Sequence, residues 1–176
     1  MTNLPDKLRP SGTLQVALPS GKTMQLPCCH PTFERWIGTP IKFDFGHKPL
    51  LAYQQHPIFA ELLILRLLEA HGWEGVWVSS YGGIKYLRQM PQGSSLARGR
   101  APLPDDREHL LNRIWERSGR RSGCFDVYAW RDGAVLFCEA KRQGKDRIRL
   151  SQRRWIEAAI LEGMAPDSLL IVEWTT

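Results

Sequence analysis

The chain has 176 residues, 43% of them hydrophobic, enough for one domain of ordinary size with a real core; its four cysteines are too unevenly spaced to read as a disulfide framework. The formal charge is +6 with a pI near 9.4, and 15 of the 24 Lys and Arg residues fall between Arg98 and Arg154, the electrostatic footprint of a polyanion-binding surface. No early apolar leader and no uninterrupted apolar run of about 18 residues is present, so neither a signal peptide nor a membrane span is expected, and the expected location is cytoplasmic.

In chain order, residues 13–18 and 23–26 are short β-like runs joined by the turn Pro19-Ser20-Gly21-Lys22, which predicts a β-hairpin within an N-terminal arm, residues 1–50, packed on the domain of residues 51–176. Trp36, Phe43 and Phe45 read as anchors of that arm. Cys28-Cys29-His30 lacks the usual C-x₂₋₄-C ligand spacing, so a loop with buried thiols is expected there in preference to zinc.

His56-Pro57 opens the best helix pattern, with Pro57 suited to the first helical position and Gly72 to the end. Ile58, Phe59, Leu62, Leu63, Ile64, Leu65, Leu67 and Leu68 cover most of its circumference, which predicts burial. Arg66 and Glu69 share a wet stripe at i,i+3. Glu61 differs: it falls between Ile58, Leu65 and Leu68 on the helical wheel, where a lone carboxylate is costly unless paired, hydrogen-bonded or near a metal. Residues 75–80 and 84–88 read as strands around Tyr81-Gly82-Gly83, and residues 91–104 as a loop. Asp105-Asp106 then caps a helix through Leu110, Leu111, Ile114 and Trp115. The segment of about residues 81–119 looks like an insertion. Arg120 and Arg121, which follow it, are candidate phosphate contacts.

The next stretch organises the chain. Two β-rich runs flank Asp132-Gly133, the signal of a two-residue hairpin turn. Opposed positions then sum to 265, which sets Tyr128 opposite Phe137 and Asp126 opposite Glu139. Alternation puts Asp126, Tyr128, Trp130, Val135, Phe137, Glu139 and Lys141 on one face; Phe125, Val127, Ala129, Leu136, Cys138 and Ala140 form an apolar face for the core. Two like charges about 5 Å apart repel by roughly 3 kcal/mol at an effective dielectric of 20. A divalent cation such as Mg²⁺ or Mn²⁺ between the two carboxylates reverses that sign. With Lys141 on the same face, the set suits metal-assisted hydrolysis of a phosphodiester. The alternative is an exposed acidic pair at a sheet edge, relieved by Lys141 or nearby arginines.

Beyond Lys141, the run with Arg142, Lys145, Arg147 and Arg149 reads as a basic loop. Ser151 is the expected N-cap of a helix whose inner face is Trp155, Ile156, Ala159 and Ile160. Gln152 lies in that inward sector, either orienting water or phosphate or serving as a core glutamine bonded to backbone; Arg153 points outward. Residues 168–174 form a final buried strand.

Asp126 followed by Glu139-Ala140-Lys141 resembles the Asp…Glu-x-Lys signature of the PD-(D/E)XK nuclease superfamily, and the stretch Arg149-Leu150-Ser151-Gln152-Arg153-Arg154-Trp155 resembles its VRR-NUC branch. The proline that usually precedes the first aspartate is Phe125 here. The resemblance covers the last third of the chain and the helix carrying Glu61. It implies an α/β fold with a restriction-endonuclease-like αβββαβ core, a mixed central sheet flanked by helices. It further implies Mg²⁺ or Mn²⁺ held by Asp126, Glu139 and the Ala140 carbonyl, with Lys141 as catalytic lysine, Glu61 as auxiliary acid and Gln152 as positioner.

The expectation is therefore a metal-dependent nuclease acting on nucleic acid, DNA favoured over RNA, with Arg120, Arg121, Arg142, Lys145, Arg147, Arg149 and Arg153 as nucleic-acid contacts. No membrane partner is expected, and homo-oligomerisation stays open. The rival expectation is a basic nucleic-acid-binding or assembly module that keeps the fold without cleaving. Hydrolysis of a small phosphorylated ligand finds no P-loop or dinucleotide fingerprint in the sequence.

Overall fold

A computed structural model describes residues 3–41, 48–80, 83–91 and 101–176. Phe43, Phe45, Tyr81, Gly82 and residues 92–100 of the expected loop lie outside the described residues.

The chain is a mixed α/β structure. In order it forms β1 (Gly12–Ala17), β2 (Thr23–Cys29), β3 (Leu51–Tyr53), β4 (His56–Ile58), α1 (Ala60–Glu69), β5 (Glu74–Ser79), β6 (Lys85–Leu87), α2 (Asp105–Ser118), β7 (Val127–Arg131), β8 (Ala134–Arg142), α3 (Leu150–Leu161) and β9 (Leu169–Trp174). Seven strands make one mixed sheet in the order β1-β2-β9-β8-β7-β5-β6, and β3 with β4 makes a separate small hairpin. β8 and β9 run parallel, joined by α3 as a crossover, while β5, β7 and β8 are antiparallel neighbours.

The β7–β8 ladder has the expected register, from Val127↔Cys138 to Arg131↔Ala134. Asp132 and Gly133 have φ of 49° and 79°, the double left-handed pair that matches a two-residue turn to the strand twist. Both faces of the hairpin are buried, because helices cover the sheet on both sides. Val127, Ala129, Leu136 and Cys138 pack with α1; Tyr128 and Phe137 stack at 4.3 Å and belong to a second core with Leu111, Ile114, Trp115, Trp155 and Ile156 of α2 and α3. Phe125 joins that second core, 5.3 Å from the Trp155 ring, and not the apolar face expected for it. It precedes the strand, where alternation no longer applies.

The first helix begins at Ala60, not at Pro57. Residues 56–58 pair with 51–53 across a turn at Gln54 and Gln55, both at positive φ, and Phe59 is the extended N-cap. A helix apolar on most of its circumference offers no phase change to mark its first turn, so periodicity absorbed the preceding strand. Asp105 and Asp106 occupy the first turn of α2 rather than its cap, which is Pro104. Likewise α3 starts at Leu150 with Arg149 at the N-cap, two residues before the expected Ser151.

The N-terminal hairpin is part of the sheet itself: β2 pairs in parallel with β9, Cys28↔Ile171 and Cys29↔Val172. Leu4, Leu8 and Phe33 are buried in the α1-side core. Phe33, 6.3 Å from the Trp174 ring, anchors this segment more deeply than the half-buried Trp36.

Candidate active site

β7 begins at Val127 whereas β8 continues to Arg142, so the last residues of β8 have no β7 neighbour. Asp126 fills the start of that gap. Its Oδ2 accepts the Ala140 N–H at 3.0 Å, and its own carbonyl accepts the Val78 N–H at 2.8 Å. N–H and C=O of one strand residue point to the same edge, so the Ala140 carbonyl faces the same gap as its amide. Glu139 and Lys141 project on the α3 side, the face of Phe137. There they meet Gln152, in the first turn of α3.

A cleft of about 440 Å³ gathers Asp126, Glu139, Ala140, Lys141, Gln152 and Glu61. Lys141 Nζ lies 2.8 Å from Glu139 Oε1 and 3.2 Å from Gln152 Oε1. Gln152 Nε2 donates to Glu139 Oε1, and Gln152 Oε1 also accepts the Arg149 N–H at 2.9 Å. One glutamine thus closes the helix start and ties it to both strand residues. Glu61 pairs with Lys48, whose ammonium also sits 5.8 Å and 5.1 Å from the Phe59 and Trp77 ring centres. Glu69 is turned to Arg66 and Arg88 and does not line the cleft.

Burial holds the Asp126 carboxyl well above its ordinary range, and Glu139 and Glu61 push it the same way; Lys48 and the Ala140 amide oppose them. Burial likewise raises Glu139, against the pull of Lys141 and Gln152, with Glu61 adding to the rise. Glu139 Oε2 is buried and has no hydrogen-bond partner among the described residues. Such an atom costs about 1–3 kcal/mol. Two carboxylates and a backbone carbonyl are hard oxygen donors, and such a set, with one buried carboxylate oxygen still to be satisfied, is of the donor type that suits Mg²⁺ or Mn²⁺.

Of the expected basic contacts, Arg149 lines the cleft, and Arg142 and Lys145 border an adjoining hollow with Lys48, Glu61 and Ala140. Arg147 and Arg153 line a further hollow that reaches Lys141. Arg120 and Arg121 do not line the cleft; both are exposed, and Arg121 lies 5.9 Å over the Trp115 ring. Sequence reading missed Lys48, Ser79, Cys124 and Asp146, which all line the cleft. For Lys48 no local pattern marks it, because it arrives from before the small hairpin. Asp146 carried a weak signal in Gly144: its Oδ2 accepts the Arg142 N–H at 2.9 Å and closes the turn there. A larger cavity, about 840 Å³, lies at the turn end of the β7–β8 hairpin, where Asp132 and Glu162 are already paired with arginines.

No helix among the described residues is long and apolar enough to cross a membrane. No family model, no curated protein and no solved structure matches the chain.

Proposed function

We propose that the chain is a metal-dependent nuclease of PD-(D/E)XK type, hydrolysing phosphodiester bonds of nucleic acid, with DNA the favoured substrate. The observation that carries this reading is the buried Glu139 Oε2 near Asp126, without a hydrogen-bond partner among the described residues, on a carboxylate whose other oxygen is held by Lys141 and Gln152. The order α1-β5-β7-β8-α3-β9 supports it, since it reads αβββαβ once β6 and α2 are set aside.

In this reading Asp126, Glu139 and the Ala140 carbonyl hold Mg²⁺ or Mn²⁺. The bound ion supplies an activated water and a Lewis acid for the phosphoryl oxygen. Lys141, paired with Glu139 and oriented by Gln152, stabilises negative charge developing on the phosphate. Arg149 and the N-terminal end of α3 bind the scissile phosphate, and Arg142, Lys145 and Arg147 hold the flanking backbone. Glu61, paired with Lys48, is the auxiliary acid.

The test is cleavage of labelled single-stranded, duplex and branched DNA and RNA with Mg²⁺ or Mn²⁺, wild type beside Lys141→Ala. Cleavage lost in EDTA and in Lys141→Ala is the expected result. Equal binding by both proteins with no cleavage under any metal would instead identify a non-cleaving nucleic-acid-binding module.

A further inference from the structure

A second group of ligand atoms lies outside that cleft, on the strands that join the N-terminal hairpin to the rest of the sheet. The β2–β9 pairing matches Cys28 with Ile171 and Cys29 with Val172, and an isolated bridge matches Thr32 with Thr175. The same offset places His30 opposite Glu173. Alternation then puts Cys28 and His30 on one face. The Cys28 Sγ, a His30 ring nitrogen and a Glu173 carboxylate oxygen all lie within 4.8 Å of one another.

The individual distances are specific. Cys28 Sγ to His30 Nε2 is 3.7 Å, and His30 Nε2 to Glu173 Oε2 is 3.3 Å. With Zn–S near 2.3 Å and Zn–N or Zn–O near 2.0–2.1 Å, tetrahedral ligation separates neighbouring donor atoms by about 3.3–3.7 Å. The other imidazole nitrogen, Nδ1, sits 3.2 Å from Ser11 Oγ, which fixes the ring with Nε2 toward the other two groups. An ion pair between His30 and Glu173 accounts for only part of this, and the Cys28 thiol otherwise has a long contact, 3.8 Å, to the Cys29 carbonyl. A protonated Nε2 has a single hydrogen, and a neutral one would aim its lone pair at the carboxylate. One cation satisfies all three atoms.

We infer that Cys28, His30 and Glu173 form a three-ligand site for a zinc-class divalent ion that fastens the N-terminal hairpin to β9, with the fourth position open to solvent. Thiolate and imidazole donors select Zn²⁺ over Mg²⁺, so the site is chemically distinct from the all-oxygen cleft. The Cys28 thiol releases its proton on coordination. The side chains of His30 and Glu173 are 45% and 27% exposed, which leaves an entry path. This expectation reverses the sequence reading of Cys28-Cys29-His30. The missing ligand comes from a strand 143 residues further along, which no spacing rule contains.

The experiment is titration of purified wild type with Co²⁺ and then Zn²⁺, read by the thiolate-to-cobalt charge-transfer absorption and by Tm. One equivalent of Co²⁺ should produce the band, Zn²⁺ should displace it, and Zn²⁺ should raise Tm. The band should vanish in Cys28→Ser. His30→Gln and Glu173→Gln, at more exposed positions, should keep the fold and weaken Zn²⁺ binding at least tenfold. Asp126→Asn should retain the band, which separates this site from the proposed nuclease centre whether or not the chain cleaves. A folded wild type with no band, or an unchanged band in His30→Gln, would overturn the inference.

Discussion

At Glu139 the two carboxylate oxygens live in different surroundings: Oε1 is gripped by Lys141 and Gln152, and Oε2 is buried with no donor among the described residues. Asp126 shares the strain, since its carboxyl is raised by burial and by two neighbouring acids. An acid raised in the fold binds more protons there than when unfolded, so stability falls as pH rises from its ordinary value, 3.8, through the raised one. Asp126→Asn, which keeps an oxygen for the Ala140 amide, should therefore melt above wild type in EDTA at neutral pH. That gap should shrink on acidification toward pH 3.8 and on saturation with Mg²⁺; a gap indifferent to both would show that Asp126 carries no such burden. Gln152 acts through its neighbours. Gln152→Ala should lower metal affinity or cleavage rate about 10–100-fold, as outer partners of metal ligands commonly do, with Tm as the check on folding.

At the scale of elements, the cleft depends on how closely the chain entering β7 passes the first turn of α3. Gly123 has φ of 80°, and a Cβ there would overlap the Ser151 carbonyl and stand 2.8 Å from the Gln152 amide. Backbone is on both sides, so nothing can give. Gly123→Ala should cost at least about 1–3 kcal/mol from the conformation alone, measured by urea denaturation, with cleavage falling further because Gln152 is displaced. An Ala variant as stable as wild type would mean that this approach is looser than the geometry indicates. α2, read from sequence as part of an insertion, also has a structural duty: Leu111, Ile114 and Trp115 help bury the second core.

For the whole molecule, the sheet is continuous from the N-terminal hairpin to β6, and β9 is interior to it. Deleting residues 1–30 would bare the β9 edge, Leu169 to Val172, all of them fully buried. An exposed apolar edge strand is a template for association. The truncated chain should aggregate, or elute as multimers with raised dye binding in size-exclusion analysis. A monomeric, cooperatively melting product would show that residues 31–176 fold without the hairpin.

Sequence by itself determined the β7–β8 hairpin and its register, because an Asp-Gly turn and alternating side chains act over a dozen residues; the ladder ends at Val127↔Cys138, so the expected pairing of Asp126 with Glu139 lies beyond it, and Asp126 meets the Ala140 amide instead. It also determined that α1 is largely buried and that α3 turns one face inward, though not their first residues; before α1 an apolar run carries no phase to mark the start. Tertiary structure alone decided the partners: Lys48 on Glu61, Gln152 between Glu139 and Lys141, and His30 beside Glu173. Those contacts follow from strand order and from which helix start meets which strand end. Local periodicity reports which face of an element is apolar, and it says nothing of the element that will cover it.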